Sequence, residues 1–126
     1  RKALNFGHTV GHAIESHALE SSAPLLHGEA IAAGMICESY LSHKQLHLPS
    51  EQLHVITQSI TQLYHPKPLQ KADYAHYLTL MGNDKKNEGH TINFSLLPQA
   101  GAVEVNQVCP PALIQESLDY FNEAVS

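Results

Sequence analysis

One stretch constrains the fold more than any other. Residues 27–47, HGEAIAAGMICESYLSHKQLH, read as a single helix that is apolar on most sides in its middle. A helix apolar all round belongs in a core. Its small residues Ala30, Ala32, Ala33 and Gly34 would let a second helix approach closely. A chain built around such a helix must wrap other elements over it, and 126 residues suffice for one ordinary domain with a real core.

The rest of the chain supplies those elements. Residues 2–19 read as a helix on which Leu4, His8, Gly11, His12 and Glu15 share a face. No N-cap residue stands at 1–3, and SSAP at 21–24 breaks the pattern. Arg1 is not a starting methionine and no signal peptide precedes it, so the chain is expected to be a piece of a longer one. Pro49 stops the long helix, and Ser50 is the expected N-cap of a helix over 51–64. YHPKP is a loop, and 69–81 reads as a short helix ending near Gly82. The polar turn NDKKNEGH exposes Lys85 and Lys86. TINFSLLP and AGAVEVNQV then alternate like two strands of a hairpin, and Pro110 and Pro111 open a final amphipathic helix to about 124. The expected fold is one mainly α domain with a small β-hairpin.

Composition narrows the function. The chain is 43% apolar and 15% charged, and no run approaches the length of a membrane span, which argues for a soluble globular domain. A net charge of −5 with seven Lys and Arg makes a broad nucleic-acid surface unexpected. Cys37 and Cys109 form no CxxC pair, so free thiols in a reducing cytoplasm are expected rather than a disulfide framework.

The residues that carry chemistry are histidines. In LNFGHTVGHAIE, His8 and His12 stand four apart, so on a helix their Cβ atoms lie roughly 5–6 Å apart on one face. His27 opens the next helix after a turn that folds the chain back. Three ligands and an open position describe a catalytic zinc site, and an i, i+4 pair is a common ligand spacing. Ten histidines also make one such coincidence unremarkable, so metal binding, proton transfer and plain packing all remain open on spacing alone. His17, His43, His47, His54, His65, His76 and His90 read as ordinary solvated residues. Gly7 and Gly11 each precede a histidine, and glycine inside a helix costs about 1 kcal/mol relative to alanine, which points to a close approach by a ligand or a backbone. Glu15 and Glu29 are poorly placed as a third ligand, so one is expected from outside this chain.

RKALNFGHTVGHAIE, LLHGEAIAAGM and MGNDKKNEG…INFSLLP together closely resemble the C-terminal domain of the 3-dehydroquinate synthase family, from residue 1 to about 105. The resemblance implies that 1–126 is the metal- and substrate-binding half of a two-domain enzyme, with the N-terminal NAD-binding domain outside it. It implies zinc held by His8 and His27 with an upstream glutamate. It also makes His12 an acid/base group that contacts substrate, and Arg1, Asn5 and one of Lys85 or Lys86 substrate-binding residues. An arginine fork suits a phosphate or carboxylate, a lysine serves as a mobile point charge, and a histidine with its ordinary pKa near about 6.5 suits proton traffic. The implied reaction is a phosphate-eliminating lyase step of the shikimate pathway, the NAD- and zinc-dependent conversion of 3-deoxy-arabino-heptulosonate 7-phosphate to 3-dehydroquinate, in a cytoplasmic homodimer. No glycine-rich dinucleotide turn follows a strand here, so the chain alone is expected to be inactive and to bind zinc weakly. Related sugar-phosphate cyclases such as 2-deoxy-scyllo-inosose synthase share these blocks, and a non-catalytic helical partner-binding module is the alternative from another class.

Overall fold

The computed structural model describes residues 6–20, 27–82, 92–99 and 101–126. Among the described residues, five helices and one two-stranded antiparallel sheet follow in the order α1 (His8–Glu20), α2 (His27–Leu46), α3 (Ser50–Tyr64), α4 (Tyr74–Gly82), β1 (Asn93–Leu96), β2 (Glu104–Val108) and α5 (Pro111–Val125), with a 3-10 turn, Lys71–Asp73, ahead of α4. The mainly α fold with a hairpin is as the sequence implied. Among the described residues no helix is long and apolar enough to cross a membrane.

The apolar stretch of α2 is the centre of the molecule. Ala30, Ala32, Ile36, Cys37 and Leu41 are wholly shielded from solvent, and α1, α3, α5 and β1 all pack against this helix. The core joins Val10 and Ile14 of α1 to Met81 of α4, Phe94 and Leu96 of β1, and Ile114, Leu118 and Phe121 of α5. Each such side chain contributes about 1.5–3 kcal/mol by leaving water.

Glycines set how closely α1 and α2 meet. A Cβ on Gly11 would lie 3.1 Å from the Ala30 carbonyl oxygen, and one on Gly7 would lie 3.1 Å from the Met35 backbone nitrogen. As α1 advances from residue 7 to 11, its partner therefore retreats from 35 to 30, so the helices run antiparallel. A Cβ on Gly34 would overlap the Gly7 carbonyl oxygen and the Gly11 nitrogen. Backbone rests on backbone there.

The hairpin is tied to the same helix. The Leu97 amide donates to Ser42 Oγ (2.9 Å), and Ser42 Oγ donates to the Glu38 carbonyl (2.7 Å). Between the pairs Phe94↔Gln107 and Leu96↔Glu104, β2 carries two residues against one on β1. That is a bulge, and Asn106 takes it up with φ of 58°.

Three local expectations are corrected. Among the described residues α1 begins at His8, not near residue 2, and Gly7 precedes it with φ of 86°. Ser50 is the first helical residue of α3, and Pro49 occupies the cap without a side-chain bond. The fourth helix starts at Tyr74, because residues 71–73 wind as a 3-10 turn.

Candidate active site

Gly7 is a cap that cannot act as one by its own side chain. Its carbonyl accepts the first helical bond of α1 from the Gly11 amide (3.0 Å). A cap normally lends a side-chain oxygen to the free N–H groups of the first turn. The positive φ and the nearness of Met35 exclude a side chain at this position. The missing acceptor comes from α2, 31 residues later. Glu38 Oε1 accepts from the Gly7 amide and Oε2 from the Val10 amide, both at 2.8 Å. Glu38 is wholly buried. A carboxylate at a helix start also meets the positive end of the helix dipole, and each charge-assisted bond is worth about 1.5–3 kcal/mol.

His8 lies between the two tethered amides, and His12 lies one turn further on. Their rings touch edge to face, with centroids 4.8 Å apart and planes inclined at 61°. His8 is half-buried and His12 is exposed. Together with half-buried Glu15 they mark the outward side of α1, whereas Gly11 turns inward to α2. The face expected to hold all four is thus split. The histidines look out, and the glycine seats the helix.

His27 is the first residue of α2. It lies two turns, about 10 Å along the helix, before Gly34, where α1 crosses. Its side chain lies outside what the structure describes, and so do Arg1, Asn5, Lys85, Lys86 and His90. Among the described residues no three His, Cys, Asp or Glu side chains are grouped to hold a metal ion. The donors that are described still suit zinc in kind, since imidazole is one of its ordinary ligands.

Of the remaining histidines, His47, His54, His65 and His76 are exposed as expected, whereas His17 and His43 are half-buried. His47 (φ 65°) and His65 (φ 49°) take left-handed backbone just past α2 and α3. His43 Nδ1 lies 2.7 Å from the Leu48 carbonyl. At the far end of α1, His17 Nε2 meets Asp73 (3.2 Å) and His76 Nε2 meets Glu20 (3.0 Å), and the two rings lie 5.1 Å apart. These contacts lock α1 to the start of α4. Glu38 was the residue that sequence reasoning passed over. Its signal was a carboxylate close to the apolar middle of the long helix.

Both cysteines are free and buried. Burial, reinforced by the negative charge of Glu38, raises the Cys37 thiol far above its ordinary range and pushes Cys109 up to about 12. Neither is a nucleophile at neutral pH, because the thiolate is the reactive form.

Residues 1–87 match the family described as 3-dehydroquinate synthase C-terminal. A 3-dehydroquinate synthase of Parabacteroides distasonis is 47% identical over 124 residues, covering 98% of this chain and 35% of that protein. One of Streptococcus pneumoniae is 35% identical over 125 residues, covering 96% of this chain and 32% of that protein. The chain therefore spans about a third of the length of these curated relatives. Among solved structures, that of a 2-deoxy-scyllo-inosose synthase matches with a TM-score of 0.69 over 92% of this chain and 31% of that chain, at 23% identity, a likeness of fold.

Proposed function

The chain belongs to the 3-dehydroquinate synthase C-terminal family, and from that premise we propose that it is the metal- and substrate-binding part of a longer two-domain 3-dehydroquinate synthase. The intact enzyme converts 3-deoxy-arabino-heptulosonate 7-phosphate to 3-dehydroquinate and phosphate, a carbon–oxygen lyase reaction of the shikimate pathway. The observation that carries the reading is the pair of touching imidazoles, His8 and His12, on the outward side of a helix whose start is clamped by buried groups.

In this reading His8 and His27 contribute two imidazoles to zinc, with a third ligand from outside this chain. When bound, zinc supplies Lewis-acid polarisation of a substrate hydroxyl, and NAD, held by a separate N-terminal domain, supplies hydride exchange. His12 moves protons. Its exposed ring reaches substrate, and a neutral imidazole nitrogen takes the proton of a hydroxyl and returns it in a later step. The ring of His8 against it limits the orientations His12 can adopt. Arg1 and Asn5 bind substrate, the arginine by a two-pronged bond to phosphate or carboxylate, and Lys85 or Lys86 adds a mobile positive charge. Cytoplasmic location and a homodimer of the intact chain complete the proposal. In this reading NAD is held outside this chain, so turnover is expected to require the remainder of the enzyme.

The test uses the intact protein with NAD and zinc. Phosphate release from 3-deoxy-arabino-heptulosonate 7-phosphate is expected, with none from a hexose 6-phosphate. Cyclisation of the hexose phosphate instead would assign the protein to the 2-deoxy-scyllo-inosose synthase type. Absence of both reactions would refute the catalytic reading.

A further inference from the structure

We propose that Glu38 is a positioning residue for the α1 histidines, its buried carboxylate capping the start of α1 from the neighbouring helix and so fixing where His8 and His12 present their rings. The consequence for turnover rests on the synthase reading above, while the cap itself stands on geometry.

A helix start leaves four N–H groups without helical partners. In a capping box, two side chains of the same helix satisfy the N–H of the cap residue and that of the third helical residue. Gly7 and Val10 hold those two positions here. One carboxylate serves both, Oε1 for Gly7 and Oε2 for Val10, each at 2.8 Å. The arrangement follows from packing. Gly34 brings the two backbones so close that the cap must be glycine, and a glycine has no oxygen to lend. The acceptor then has to come from α2 itself, one turn beyond Gly34.

Complete burial gives this bond pair its leverage. Water has no access to Glu38, so nothing replaces a lost acceptor, and a buried N–H without a partner is driven to move. The residue between the tethered amides is His8, and the ring packed against His8 is His12. Any shift of the first turn is therefore passed to both rings. A misplacement of about 1 Å at a reacting group can lower a rate by about a hundredfold.

The experiment has two arms on the intact protein. In the wild type, the Gly7 and Val10 amides are expected to resist hydrogen exchange as strongly as the Ile14 amide within α1. Exchange as fast as at exposed amides would overturn the cap, whether or not any variant folds. The second arm is Glu38→Gln, which keeps the volume but leaves only one acceptor oxygen. With zinc and NAD, kcat is expected to fall at least about tenfold while KM for the heptulosonate phosphate stays within about threefold. With cobalt(II) in place of zinc, the visible bands are expected to shift. A folded variant with wild-type kcat and wild-type cobalt bands would overturn the positioning role. Protected amides and shifted bands in a protein without synthase turnover would support the cap while refuting the synthase reading.

Discussion

Two contacts of α2 are built on opposite principles. At its crossing with α1 it presents backbone: Gly34 lies under Gly7 and Gly11, and among the described residues the buried Glu38 reaches across to cap the helix. Away from that crossing, α2 meets α5 through core side chains, and at the rim α3, α5 and α2 meet through side-chain tips. Thr57 Oγ1 lies 2.8 Å from Tyr120 Oη, Tyr120 stacks on Tyr40 at 4.9 Å, and Tyr40 donates to Glu116 at 3.0 Å. A groove of about 410 Å³ lined by Thr57, Thr61, Tyr120 and Glu123 separates α3 from α5. Backbone contact permits one separation and no repacking, whereas long side chains over a groove can adjust. The histidines ride on the rigid contact. A site that depends on sub-ångström placement gains from an element with nowhere to move.

The comparison breaks most sharply at Gly34. Gly34→Ala puts a methyl group onto the Gly7 carbonyl, and the helices must part. Overpacking of this kind costs about 1–3 kcal/mol, and more where the obstacle is backbone. A melting temperature lowered by about 8 °C or more is expected, measured by circular dichroism. Next in size is the response to alkali. The folded state holds both thiols protonated and raises their pKa values, so this contribution to stability is intact below the ordinary thiol pKa. It drains away as pH climbs from about 9 toward 12. Denaturant midpoints are expected to fall over that range, and neither cysteine is expected to react with a thiol reagent at pH 8 until the chain unfolds. On the adjustable side, Tyr120→Phe removes one hydrogen bond and leaves the ring stack. About 0.5–1.5 kcal/mol is expected from the urea midpoint. Smallest is Gly28→Ala, whose new methyl would meet, among the described residues, the Tyr64 ring at 3.6 Å. A change within about 0.5 kcal/mol is expected there. Equal losses at Gly34 and Gly28 would erase the distinction between the two contacts.

The sequence shows the rigid contact only in part. Helices α2, α3 and α5 were legible because period and proline act locally: Pro49 and Pro111 mark their boundaries wherever the rest of the chain goes. The start of α1 was not, because its capping oxygen lies 31 residues away and no local signal announces it. Likewise the left-handed turns at His47 and His65 and the His17–Asp73 contact are set by tertiary packing, so seven histidines looked alike in sequence. The pairing of His8 with His12 was legible from spacing. Their separate tasks were not, since a spacing of four says where two rings lie and nothing about which holds a metal. That division came from the family resemblance alone.

That division is the central claim, and metal content tests it most directly. Intact His8→Ala and His12→Ala proteins would be desalted and assayed for bound zinc beside phosphate release. The account predicts that His8→Ala loses zinc and turnover together, while His12→Ala keeps about one zinc per chain and loses turnover by about 10²-fold or more, the scale of a lost acid/base group. Zinc lost equally from both variants, or turnover retained in His12→Ala, would contradict it.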